Sequence, residues 1–228
     1  MKRVDQIREN LDTVRAKIDA AAAKAGRSAD EITLIAVTKS FPLSDLEILY
    51  SLGVRQFGEN RDQEASSKVE QLPSDINWHF QGQIQSNKLK SITNWAGCIH
   101  SVDQIKYAQI ISEQSSGQPK PIFIQVSLDQ PPESRGGVDP AKLIELANQI
   151  TKLPGVALQG LMAVAPTDSP TESAFANLAK IHGDFLLTFS NAKSLSSGMS
   201  GDYEMAISYG ATHLRIGSSI LGNRDQIA

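Results

Sequence analysis

The sequence predicts an α/β protein built as one closed (β/α)8 barrel, with an extra helix at its amino end. Three observations predict it. Apolar runs of strand length alternate with segments of helical period, which marks a parallel sheet with crossover helices. Eight such runs can be counted in 228 residues, close to the roughly 250 typical of such a barrel, so little is left for a second domain. The first run, Thr33-Leu34-Ile35-Ala36-Val37-Thr38-Lys39, is almost wholly apolar and rich in β-branched residues, as in a strand covered on both faces.

The elements follow in order. Val4, Ile7, Leu11, Val14 and Ile18 recur at helical spacing with charges between them, and Gly26 stops the pattern, so 1–26 is a leading helix packed on the barrel. Strands are expected at 33–39, 55–59, 77–82, 97–102, 121–128, 158–165, 194–200 and 213–218. Between them Leu43 to Leu52, Asp62 to Leu72, Ser86 to Trp95, Asp103 to Ser115, Pro140 to Leu153, Thr171 to Phe189 and Tyr203 to Tyr209 carry the helices, most with apolar positions three or four apart. The most irregular stretch, Asp129 to Gly137, follows strand five and belongs at the catalytic mouth. A doubly wound open sheet is the competing architecture, but no G-x-G-x-x-G follows the first strand.

Composition excludes several functions. Twenty-two basic and 25 acidic residues, a net charge of −3, include no basic block of the kind that binds nucleic acid. Cys98 is the one cysteine, which rules out an intrachain disulfide and fits a reducing compartment. The charged N-terminus lacks an apolar leader, and no run approaches a membrane span, so the expected location is the cytoplasm.

Lys39 ends the first apolar run, at the carboxyl end where α/β folds gather their chemistry. Partial desolvation there would lower its pKa and expose a nucleophilic amine; a lysine at a strand end can equally snorkel into solvent. Strand seven runs into Gly198-Met199-Ser200-Gly201 and strand eight into Arg215-Ile216-Gly217-Ser218-Ser219. Small residues after strands seven and eight let backbone N–H groups approach a phosphate, which makes Ser200, Gly201, Gly217 and Ser218 candidates; each also suits an ordinary turn or cap. Arg215 alternates with Leu214 and Ile216, so a buried guanidinium there needs either a carboxylate such as Glu59 or a ligand's ring nitrogen or phosphate. An amine, a phosphate cradle and an interior arginine suggest a phosphorylated aldehyde: pyridoxal phosphate, or a sugar phosphate in aldolase chemistry.

Ile35 to Lys39, Phe57-Gly58-Glu59-Asn60-Arg61, Trp78-His79-Phe80, Gly82 with Gln85-Ser86-Asn87-Lys88, Gly160-Leu161-Met162, Gly198-Met199-Ser200 with Asp202-Tyr203-Glu204, and Arg215-Ile216-Gly217 together carry a resemblance. The chain closely resembles the YggS/PROSC family of pyridoxal phosphate homeostasis proteins. The resemblance implies a fold-type III TIM barrel like the amino-terminal domain of alanine racemase. It implies pyridoxal 5'-phosphate (PLP) held as a Schiff base on Lys39, Arg215 at the pyridine nitrogen, Asn60 near the ring, and Ser200, Gly201, Gly217 and Ser218 at the phosphate. An arginine keeps that nitrogen unprotonated and makes the ring a poor electron sink. The chain departs from the family pattern at Ser197, where methionine is common, at Arg135, where a loop lysine is common, and at Gln81, which replaces an aliphatic residue. Arginine cannot form a Schiff base, so a second covalent site on that loop is in doubt.

His79 and His213 fall inside strands and read as core residues, His100 as a candidate nearer the mouth, and His182 as a surface residue. No His, Cys, Asp or Glu group shows metal-ligand spacing. Glu59 suits a barrel cation, Met162 and Met199 suit packing, and Trp78 and Trp95 suit barrel and helix contacts. The expectation is therefore a non-catalytic PLP carrier. The racemase-like alternative is disfavoured because no second domain follows the eighth unit to enclose a substrate. The small molecule is the principal partner; PLP-dependent apoenzymes or a regulatory protein are the macromolecular partners compatible with carriage, and a monomer is expected.

Overall fold

The computed structural model describes residues 2–129, 136–166 and 171–222. Eight strands close a barrel in sequence order: β1 Thr33–Val37, β2 Gln56–Glu59, β3 Asn77–Phe80, β4 Cys98–Val102, β5 Lys120–Gln125, β6 Val156–Met162, β7 Ser194–Met199 and β8 His213–Ile216. Every adjacent pair is parallel, and β1 meets β8 in the register Thr33 to His213 through Ala36 to Ile216. The helices are α1 Arg3–Lys24, α2 Leu43–Ser51, α3 Asp62–Gln71, α4 Leu89–Trp95, α5 Ile105–Gln114, α6 Leu143–Ile150, α7 Thr171–Leu186, α8 Tyr203–Ser208 and α9 Ser218–Leu221. Among the described residues no helix is long and apolar enough to cross a membrane.

The fold class read from the apolar runs is the one observed, with shifted ends. The first strand stops at Val37, so Lys39 stands in the turn beyond it, where Ser40 adopts a φ of 65°. The last strand stops at Ile216, and Ser218 opens the short α9. Of the irregular stretch after β5, residues 130–135, including Arg135, lie outside the described residues.

The main core lies between strands and helices. Phe57 of β2 packs its ring 5.5 Å from Trp78 of β3, and Phe80 lies 6.0 Å from Trp95 of α4, whose Nε1 donates to Asp62 (2.9 Å). Leading helix α1 buries Ile7, Leu11, Val14 and Ile18, the predicted apolar face, against α8 and α9. It is also fastened by polar contacts: Asn10 donates to the Ile220 carbonyl (3.0 Å) and Arg3 to the Leu221 carbonyl (2.9 Å), while Arg3 pairs with buried Asp45. Inside the barrel a smaller apolar cluster, Cys98, Phe123 and Met162, sits among histidines.

Strand β6 contains one position that tolerates no side chain. Gly160 faces Ser194 across the β6–β7 ladder, beside a register shift against β5, and a Cβ at Gly160 would overlap the Ser194 carbonyl. Gly160→Ala is expected to lower stability by about 3 kcal/mol through backbone displacement. Denaturant unfolding checks this, an unchanged midpoint being the contrary result.

Candidate functional site

A cavity of about 1020 Å³ opens at the carboxyl ends of the strands, and Lys39, Asn60, Ser200, Gly201, Arg215, Gly217 and Ser218 all line it. The seven residues singled out in the sequence are therefore brought to one place. Val37, Met162 and Val164 supply its apolar wall.

The turn carrying Lys39 is held from both sides. Before it, the Thr38 amide donates to the Gly58 carbonyl (2.9 Å) and the Thr38 hydroxyl to Glu59 (2.7 Å). After it, the Ser40 amide donates to Glu64 (2.6 Å). Lys68 of α3 joins the two halves: its ammonium donates to the Thr38 carbonyl (2.8 Å), Glu59 (2.7 Å) and Glu64 (2.6 Å). Burial pushes the Glu59 carboxyl above its ordinary range against the pull of Lys68. Burial would raise Glu64 too, but its bonds from Lys68 and the Ser40 amide bring it below that range. Glu59 thus meets a barrel cation, as one reading held, but that cation is Lys68 and not Arg215. Lys68 was not anticipated. The signal available was the i,i+4 pairing of Glu64 with Lys68 on one helix face.

Arg215 is 6% exposed, and its hydrogen-bond partners among the described residues are neutral oxygens: Ser196 Oγ (2.8 Å) and the Ala163 carbonyl (2.9 Å). Burial pushes the guanidinium down to about 10, opposed by the charge of Asp202. From Arg215 a line of contacts crosses the barrel interior: Ser196 Oγ to His100 Nδ1 (2.9 Å), His100 Nε2 to His79 Nδ1 (2.8 Å), and His79 Nε2 to Gln56 Oε1 (2.8 Å). The Gln56 oxygen can only accept, so with both buried imidazoles neutral His79 carries its hydrogen on Nε2, its Nδ1 accepts from His100 Nε2–H, and His100 Nδ1 accepts from the Ser196 hydroxyl. Burial agrees: His79 is pushed down to about 3, His100 well below its ordinary value, and His213, through burial and then Arg215, to about 4.

Three sequence expectations are corrected here. His100 is fully buried below the cavity, stacked on Phe123 at 4.4 Å, and is not at the mouth. His182 is 9% exposed on the inner face of α7 and not on the surface, because its helical position points at the strands. His79, Cys98 and His100, far apart in sequence, have ligand-type atoms within 4.8 Å of one another, a grouping that linear spacing does not reveal. The two imidazoles are bonded to each other, and burial pushes the Cys98 thiol up to about 12.

Across the mouth, Ser200 ties the two glycine-serine turns together. Its Oγ accepts from the Gly217 and Ser219 amides (both 3.2 Å), and its carbonyl accepts from the Ser219 hydroxyl (3.1 Å). Gly217 lies close against β1, since a Cβ there would come 3.2 Å from the Val37 carbonyl. Open space surrounds Gly201. Asn60 follows β2, and its carbonyl abuts Gly82, where only glycine fits.

A lysine amine and a buried guanidinium at one barrel mouth, with a serine-pinned pair of turns, agree with what comparison with known proteins finds. The family model "Alanine racemase, N-terminal domain" matches residues 4–225. A Mycobacterium tuberculosis protein named pyridoxal phosphate homeostasis protein is 36% identical, covering 97% of this chain and 94% of its own length. This chain belongs to the family of pyridoxal phosphate homeostasis proteins. The solved structure of PipY from Synechococcus elongatus with PLP bound is 32% identical, with a TM-score of 0.83, covering 95% of this chain and all of that one. Alanine racemase from Clostridium difficile, at 16% identity and a TM-score of 0.74, shares the fold; the match covers 95% of this chain and 59% of the racemase.

Two outcomes are expected. The buried histidines have folded pKa values depressed below the unfolded value of about 6.5, so the unfolded chain binds protons first as pH falls. Stability should therefore drop below pH 6.5, by about 1.4 kcal/mol per pH unit for each histidine fully titrated in the unfolded state, and for His79 until about pH 3. Denaturant midpoints against pH should show a shallower slope in His100→Gln; an identical slope contradicts a neutral His100. Second, Lys68→Met should cost about 3 kcal/mol, and distinctly less when Glu59→Gln is already present, as a double-mutant cycle would measure.

Proposed function

We propose that the chain is a carrier of pyridoxal 5'-phosphate, holding it reversibly on Lys39 without catalytic turnover. The observation that carries this reading is Arg215: a guanidinium buried beside neutral oxygens, at the wall of the cavity that Lys39 also lines. A buried cation of this kind is best satisfied by an electron-rich ligand atom. The pyridine nitrogen is such an atom, and a permanently charged donor leaves it unprotonated.

The remaining residues divide the rest of the molecule. The Lys39 amine condenses with the aldehyde, forming one C=N bond and releasing one water, and the reverse step frees the cargo. The turn strapped by Lys68 and Glu64 fixes the backbone from which that amine extends. Ser200, Gly201, Gly217 and Ser218 would receive the phosphate through hydroxyl and amide donors. Asn60 would border the ring. The names of the relatives and the PLP in PipY support this reading. The ring nitrogen held by Arg215 supports carriage over turnover, because an unprotonated ring stabilises a carbanion poorly.

Purified protein mixed with PLP should show an imine absorption band and, after borohydride reduction, an intact mass increased by one reduced cofactor. Lys39→Ala should lose both. An unchanged mass in wild type, or a retained adduct in Lys39→Ala, overturns the assignment. Arg215→Gln should weaken binding about tenfold or more while Lys39 remains reducible onto the aldehyde at high cofactor. Steady turnover of free amino acids by the loaded protein would favour the enzyme reading instead.

A further inference from the structure

A second, smaller cavity of about 170 Å³ adjoins the first on the β3–β5 side of the mouth, and the two share Gln81, Gln83, Met162 and Val164 as walls. Ser101, Asp103, Gln104, Tyr107 and Gln125 complete its polar lining among the described residues. Seven buried side-chain polar atoms lack a hydrogen-bond partner among the described residues; three of them, Gln81 Nε2, Ser101 Oγ and Asp103 Oδ1, belong to residues of this one chamber. The other four, on Glu59, Thr93, His182 and Ser197, line none of the cavities described. Gln81 Nε2 lies against Gly58 of β2, whereas Ser101 Oγ and Asp103 Oδ1 belong to β4 and the residue just beyond its end; orphaned buried polar atoms are costly and uncommon, so two from neighbouring residues of one wall mark a built feature.

The chamber is also oriented. Asp103 holds its other oxygen on the Gly137 amide (3.0 Å), which keeps the carboxylate fixed. Ser101 is 3% exposed on β4. Gln81 forms part of the wall between the two cavities. Asp103 is the one charged residue among the described residues of the lining, so the space favours a group that donates hydrogen bonds and disfavours a carboxylate. Its volume suits a head group of a few heavy atoms, or several waters at about 30 Å³ each.

We propose that this chamber seats the ammonium or hydroxyl head of a small diamine or amino alcohol, whose free primary amine reaches the main cavity and removes the aldehyde cargo from Lys39. The inference rests on the Lys39 linkage proposed above. In the exchange the incoming nitrogen forms the bond to the aldehyde carbon and the bond to Lys39 breaks. Two protons pass in all from the incoming nitrogen to the lysine, which leaves as the free amine, and nothing is oxidised or reduced. Unloading is thereby selective for amines that carry a second donor.

The test mixes PLP-loaded protein with 1,3-diaminopropane, 3-amino-1-propanol, n-butylamine or β-alanine at equal free-amine concentration, and follows loss of the imine band. The two donor-bearing amines should release the cofactor about tenfold faster than the other two, the worth of one charge-assisted hydrogen bond. Asp103→Asn and Ser101→Ala, which alter only the side chamber, should load normally by borohydride mass and bring the four rates to within about twofold. Equal rates in wild type, as expected of a chamber that holds water only, or an undiminished preference in both variants, overturn the proposal. Should the protein fail to load, the linkage is wrong and the chamber is judged separately. Saturation-transfer NMR of 3-amino-1-propanol with unloaded protein should then show contact that Asp103→Asn abolishes, and no contact in wild type overturns it.

Discussion

A permanent positive charge held inside the barrel by uncharged oxygens is the constraint on which the rest of the interior depends. Arg215 cannot shed its proton as a lysine could, so its surroundings must supply acceptors without supplying another cation. Ser196 and Ala163 supply the acceptors. The Ser196 hydroxyl, having accepted from arginine, keeps its own hydrogen for His100, and the neutral rings pass the same direction through His79 to the Gln56 oxygen, which Asn77 also holds. One charge at the top of the barrel therefore requires neutral imidazoles at increasing depth. A protonated histidine anywhere along this line would place a second cation in a low-dielectric interior, and the depressed histidine values express that cost.

Around this axis the mouth is made of two independent devices. On one side, α3 reaches over β1 and β2 with Lys68 and straps the Lys39 turn at its carbonyl and, through Glu64, at its following amide. On the other, Ser200 knots the turns after β7 and β8. The first positions a nucleophile by fixing backbone, leaving the long side chain to act; the second presents backbone amides directly. Their placement at one mouth would suit the proposed ligand, with an aldehyde at one end and an anion at the other.

Much of this was legible in the sequence because the relevant signals are local. Continuous β-branched runs report strands buried on both faces, and glycine beside serine after strands seven and eight reports turns open to an anion. Lys39, Arg215 and the turn residues were found this way, and the Ile7, Leu11, Val14 and Ile18 face of α1 by its period. The strand ends at Val37 although Thr38 continues the β-branched pattern and its amide still reaches Gly58, because the Thr38 carbonyl is taken by Lys68 and by the Phe41 amide of the turn. Lys68, Ser196 and the placement of His100 and His182 were not legible. Each acquires its role from a partner on a non-adjacent element, and a helix heptad or a strand alternation says only which way such a side chain points, not what it meets. The side chamber beside Asp103 is hidden for the same reason.

The wall of the main cavity joins the earliest barrel residues to the latest, since Lys39 follows β1 while Arg215 and Ser218 belong to β8 and α9. During synthesis no segment shorter than nearly the whole chain contains a cofactor site. The ligand therefore has nothing to recognise on a nascent or partly folded chain, and cannot act as a template that guides strand pairing. It selects finished barrels by mass action and adds stability only after β8 has docked on β1. Helix α1, which clasps α9 through Asn10 and Arg3, lies behind that last seam. Cofactor occupancy would thus be a readout of complete closure, and any loosening of the seam between the two ends of the barrel would be felt as leakage of cargo before it was felt as loss of fold.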